Sequence, residues 1–248
     1  MNTPDSLPPQ SQLSSLASPF GIADIFGALS LLTFFGIIVK QSLEVLAAAT
    51  AAGQEIIPTM GGILASSVTY ASIVFFILIF LAVRGIFPVR AFGLRRPDVA
   101  MLKTILLLLF LSILLILFAQ FLVGVILDEK ESPQPIILFW LSHTGLIERG
   151  VVILMAVIIA PLCEEIIFRG YFYGVAKRYL GTGIAAIFIS AVFAVVHLHW
   201  PALPGLFIFS IALIIAYEKT RSLTSCILLH ASFNALSLIL SLLFPDWV

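Results

Sequence analysis

The chain has 248 residues, of which 61% are hydrophobic and only 10% charged. Soluble domains carry about 25% charged and 45–50% apolar residues, so this composition excludes a water-soluble fold and makes lipid the solvent for most of the surface. Thirteen basic and thirteen acidic residues cancel, which leaves no net charge to attract nucleic acid or another polyanion. The two cysteines, Cys163 and Cys226, both fall in apolar runs, which argues against a disulfide framework.

In chain order, residues 1–20 are rich in Pro and Ser and lack Lys and Arg. They read as a short disordered tail, because a secretory signal needs a positive region ahead of its apolar stretch. A membrane helix needs about 20 mostly apolar residues. Runs at 21–39, 62–83, 104–127, 150–167, 182–198, 202–217 and 223–244 meet or approach that length. Stretches 42–57 and 136–147 are shorter and suit interfacial or re-entrant helices. The expected architecture is an all-α polytopic bundle of seven to eight transmembrane helices. It divides into the tail (1–20), N-terminal membrane helices (21–135) and a C-terminal core (136–248).

Basic residues orient the bundle. The stretch with Arg84, Arg90, Arg95, Arg96 and Lys103 should be cytoplasmic by the positive-inside bias. Threading seven spans from there puts Arg169, Lys177, Arg178, Lys219 and Arg221 on the same side, and leaves only Lys40, Lys130 and Arg149 elsewhere. The N-terminus then also lies in the cytoplasm.

Ionisable groups within a span cost about 2.5–3.5 kcal/mol each on insertion scales and tend to mark functional sites. Asp24 and Lys40, at the two ends of the first run, can reach headgroups by snorkelling. Glu164 and Glu165 close the fourth run and cannot be explained that way. Glu165 and Arg169 are four apart and can pair on one helix face. Glu164 points about 100° away and has no basic partner within helical reach, which leaves a carboxylate suited to proton transfer. Pro161, three residues earlier, can kink the helix there. His197 follows Phe193 by one turn. His230 and Asn234, again four apart, aim at one point in the bundle. His199, beside Trp200, reads as an interfacial residue, and His143 lies where solvation is easy. Gly170 and Gly174 form a GxxxG that allows close helix approach or dimerisation.

A carboxylate, two histidines and an amide from three spans can hold and deprotonate a water, then donate hydrogen bonds to a developing oxyanion. Glu164, His197 and His230 can alternatively ligate a divalent metal such as zinc. The absence of HExxH excludes a zincin site. Two further readings stay open: a proton-coupled transporter that uses the same polar groups as a relay, and a non-catalytic immunity or scaffold protein.

The segments APLCEEIIFRG, FAVVH and HASFN resemble the three motifs of the CPBP family, written EExxxR, FxxxH and HxxxN. This family takes in type II CAAX prenyl endopeptidases and the bacteriocin-processing or immunity proteins of the Abi group. Glu164, Glu165 and Arg169 fill the first motif, Phe193 and His197 the second, and His230 and Asn234 the third. FGLRRPD, ahead of the third run, adds a further likeness. The resemblance runs over residues 150–243. It implies an intramembrane endopeptidase, of glutamate or metallo type, whose site opens to the cytoplasm of a bacterial cell. Glu164 and His197 would activate water, His230 and Asn234 would stabilise the oxyanion, and Glu165 with Arg169 would order the helix. Its partners would be the bilayer and a membrane-associated peptide or protein, with the natural substrate, prenylated or not, and the oligomeric state left open.

Overall fold

The computed structural model describes residues 20–51, 59–127 and 134–244. The expected tail up to residue 19 and most of the acidic loop at 128–135 lie outside the described residues. The chain is an integral membrane protein built from helices, with no strand among the described residues. Helices α1 (Ile22–Ala51), α2 (Met60–Val83) and α4 (Val99–Leu127) are long and apolar, and the short α3 (Pro88–Ala91) sits in the loop between α2 and α4. At 1.5 Å per residue α4 is about 43 Å long, more than the roughly 30 Å of hydrocarbon in a bilayer. Its outer face carries exposed Leu106, Leu107, Phe110 and Phe118, a surface that lipid solvates. Hydroxyls on such faces are satisfied within the helix: Ser66, Ser72 and Thr104 each donate to the carbonyl four residues back, as hydrocarbon requires.

The C-terminal part begins with α5 (Pro135–Ser142). It continues through α6 (Leu146–Ile153), a π-helical stretch Leu154–Ile159, α7 (Ala160–Glu165), a second π-helical stretch Ile166–Phe172 and α8 (Tyr173–Val195). Trp200–Ala202 make a 3-10 turn before α9 (Leu203–Thr220) and α10 (Leu223–Leu243). Six helical segments among the described residues are long and apolar enough to cross a membrane. One of these, Leu146–Val195, is two legs, broken at Gly181, whose φ of 75° and ψ of 167° no L side chain adopts comfortably. Seven legs result, within the expected seven to eight.

Local outcomes differ from the sequence reading in three places. Residues 42–51 continue α1 rather than forming a separate short helix. The fourth run neither starts at 150 nor ends at 167: the helix extends from Leu146 through both π segments to the Gly181 break. Asp24 does not snorkel. It is fully buried, ion-paired with Arg84, and its backbone carbonyl accepts from the Tyr171 hydroxyl at 3.3 Å. Lys40 behaves as expected, exposed and 3.8 Å from Glu44.

The GxxxG glycines serve close packing within the chain. A Cβ on Gly170 would stand 3.2 Å from the Phe92 ring, and one on Gly174 2.3 Å from that of Phe20. Phe92 lies next to Gly93, which needs its positive φ of 63° and has the Arg221 carbonyl oxygen 2.2 Å from where a Cβ would be. Leu223 N–H donates to the Phe92 carbonyl at 3.0 Å. These contacts tie the loop before α4 to the turn between α9 and α10.

Candidate active site

Three elements meet at the polar centre. α7 brings Glu164 and Glu165, the end of α8 leads to His197, and α10 brings His230 and Asn234, while α9 packs behind them. The π stretches flanking α7 are of the kind that recurs at functional sites.

Glu164 is buried, and its Oε2 makes no hydrogen bond. That oxygen faces Nε2 of His197 at 4.0 Å and Nε2 of His230 at 3.9 Å. His197 Nδ1 sits 2.6 Å from the Phe193 carbonyl. A carbonyl only accepts, so Nδ1 carries a proton, and in the neutral imidazole it is Nε2, on the side of Glu164, that offers the lone pair. At this separation an oxygen placed off the line between Glu164 Oε2 and His197 Nε2 can stand about 2.8 Å from each.

Behind this pair lies a fully buried relay. Glu165 Oε1 accepts from Arg169 at 2.9 Å and from His230 Nδ1 at 2.7 Å. Arg169 also donates to the Ser210 hydroxyl at 2.8 Å, and its guanidinium lies 4.4 Å over the Phe193 ring. The Phe193 ring in turn packs 4.7 Å from His197 and edge-on to His230 at 6.1 Å. The expected Glu165–Arg169 pair is therefore present, but Glu165 does more than order its helix: it also holds His230. Asn234 donates from Nδ2 to the Ala156 carbonyl at 2.8 Å. Tyr70, on α2, lies within electrostatic reach of Glu164.

Six of the seven candidates are linked by these contacts, and Asn234 joins them through the Ala156 carbonyl, on the helix that carries Glu164. Sequence reasoning missed Ser210, a single hydroxyl in an apolar run, because it weighed ionisable groups first. It also missed the Ala156 carbonyl, for which no side chain could have given a signal. His143 stands apart, stacked 3.9 Å from Phe139 and bonded to its carbonyl. His199, half-buried, opens the 3-10 turn.

A zinc ion with bonds of about 2.0–2.2 Å needs donor atoms roughly 3.4 Å apart, closer than the 3.9–4.0 Å spacings around Glu164. Among the described residues no group of three His, Cys, Asp or Glu side chains is arranged to hold a metal. The set does not fit the ion in this geometry.

Residues 147–236 match the family model described as type II CAAX prenyl endopeptidase Rce1-like. This stretch is similar to that family. It covers a little over a third of the chain and contains every residue of the network, from the Ala156 carbonyl and Glu164 to Asn234. The family matched is, by its description, one of CAAX prenyl endopeptidases. No curated protein and no solved structure matches the chain.

Proposed function

We propose that the chain is an intramembrane endopeptidase that hydrolyses a peptide bond in a membrane-associated peptide or protein by glutamate- and histidine-activated water. The observation that carries the reading is the buried, unbonded Glu164 Oε2 facing two histidine Nε2 atoms. A buried carboxylate oxygen without a hydrogen bond costs stability unless it has another use.

The steps follow from which atoms can give and which can take. A water between Glu164 and His197 donates one hydrogen to each, which turns its lone pair toward a scissile carbonyl carbon. Glu164 takes the proton as the new C–O bond forms, and the carbonyl π pair moves to oxygen. His230 is oriented by Glu165 through Nδ1–H. In its doubly protonated form it also offers Nε2–H to the oxyanion, and its charge then offsets the excess of two carboxylates over the one Arg169 guanidinium. Asn234 offers the second N–H of its amide. Collapse of the tetrahedral species breaks the C–N bond, and the proton held by Glu164 passes to the leaving amine. The cytoplasmic opening proposed from the basic loops suits a substrate presented from that face.

The CAAX-type match makes a farnesylated peptide ending in a Cys-aliphatic-aliphatic-X box the first probe. The full chain in phospholipid vesicles is expected to release the terminal tripeptide, and Glu164→Gln to lose at least 10³-fold in kcat, on the scale of removing an essential general base. Cleavage by Glu164→Gln at the wild-type rate would sink the mechanism. If the probe is untouched while an unprenylated membrane-anchored peptide is cut, the peptidase reading stands and the prenyl substrate falls.

A further inference from the structure

The π stretch before α7 has a defect with a consequence for the active site. In a π-helix each N–H bonds to the carbonyl five residues back, and Ala160 N–H does so, to Met155. The next rung would run from residue 161 to the Ala156 carbonyl. Residue 161 is Pro, which has no N–H, so that rung cannot form, and the helix continues in α register as α7. The carbonyl left over is the one that Asn234 takes, across helices, at 2.8 Å.

From this we infer that Pro161 is a positioning residue: by withholding one backbone N–H it opens the Ala156 carbonyl as a clasp that fixes the Asn234 amide. The inference rests on the reading of Asn234 as an oxyanion donor. An amide group can flip, exchanging its NH2 for its oxygen. A carbonyl accepts and never donates, so only the NH2 can face Ala156. With one Nδ2 hydrogen committed, the planar group directs its other hydrogen to one place. The clasp also joins α10 to the helix that carries Glu164, three residues after Pro161. Oxyanion donor and general base are therefore set relative to each other by one missing hydrogen-bond donor.

Pro161→Ala returns an N–H to the rung and replaces a helix breaker by the best helix former, so folding is not at risk. Thermal midpoints of the full chain in detergent, for Asn234→Ala in each background, test the clasp without any substrate. With Pro161 in place, Asn234→Ala is expected to lower the midpoint by roughly 5 °C, because a half-buried carbonyl loses its partner. In the Pro161→Ala background the same change should cost less than half as much. Equal shifts in the two backgrounds overturn the inference. In the vesicle assay with the farnesylated probe, Pro161→Ala is expected to lower kcat roughly tenfold, with KM within twofold, and the double variant to be no slower than Asn234→Ala alone. Losses that multiply, or a KM effect without a kcat effect, overturn the positioning role. A wild-type chain that cuts no peptide would sink the peptidase reading, and the thermal cycle would still judge the clasp.

Discussion

Arg169→Met isolates the buried relay from the chemistry in front of it. The substitution keeps most of the side chain's volume and removes the charge. It deletes the 2.9 Å bond to Glu165 and the 2.8 Å bond to Ser210, and takes the guanidinium from over Phe193. Glu165, fully buried, is left with His230 as its one hydrogen-bond partner. Removing one member of a buried ion pair costs about 3–5 kcal/mol, largely because the other charge stays behind without compensation. For a chain of this size each kcal/mol moves the thermal midpoint by roughly 2–4 °C, so a fall of roughly 6–20 °C is expected in detergent. The companion variant, Glu165→Gln with Arg169→Met, removes both charges, while the amide oxygen can still accept from His230 Nδ1. It should recover more than half of the loss. A single variant within about 2 °C of wild type, or a double variant as unstable as the single, would refute the claim that charge compensation at Glu165 governs this part of the bundle.

Glu164→Gln should leave the thermal midpoint unchanged or raise it, because the carboxylate makes no bond that the amide would forfeit; a clear fall would show that Glu164 is a structural anion. Gly93→Ala should lower the midpoint by several degrees, since a left-handed backbone costs an L residue roughly 1–2 kcal/mol and its Cβ would meet the Arg221 carbonyl; an unshifted midpoint would mean that the tie between the α4 loop and the α9–α10 turn is loose. At the start of α4, Met101 N–H and then Arg95 hold the Asp98 carboxyl below its ordinary range. A lowered folded-state value contributes stability that is complete above the ordinary carboxylate range and lost as pH falls through the lowered value, so Asp98→Asn should flatten that acid-side decline, and identical acid profiles would contradict the assignment. Peptide cleavage should survive a chelator such as 1,10-phenanthroline; loss of activity that zinc restores would show that the three donors close around a metal during turnover.

What the sequence made legible followed from solvent and spacing. Lipid as solvent made Glu164, Glu165, Arg169, His197, His230 and Asn234 conspicuous, and an i,i+4 interval placed Arg169 beneath Glu165, as the structure has it. That interval survives the π stretch, because about 4.4 residues per turn still leave four residues on nearly one face. Other features came from contacts between helices, on which intervals along one helix are silent. Asp24 looked like an interfacial anchor because its partner, Arg84, is sixty residues away on the end of another helix. Gly170 and Gly174 looked like a dimer face because nothing local announces the rings of Phe92 and Phe20.

Pro161 shows where such reading stops. A proline in an apolar helix announces a missing donor, but which carbonyl loses its partner depends on helix register. In the α register the orphan would be Val157; carried one residue on from the Ala160–Met155 bond, the π register makes it Ala156. One residue of register turns an orphan carbonyl by roughly 80–100° around the helix, which decides whether α10 can reach it. The two π segments are thus part of how the motif residues meet. The first exposes a carbonyl for Asn234, and the second spans Arg169 and seats Phe92 against Gly170. Motif spacing specifies which side chains share a face; these register shifts specify which backbone atoms they find there.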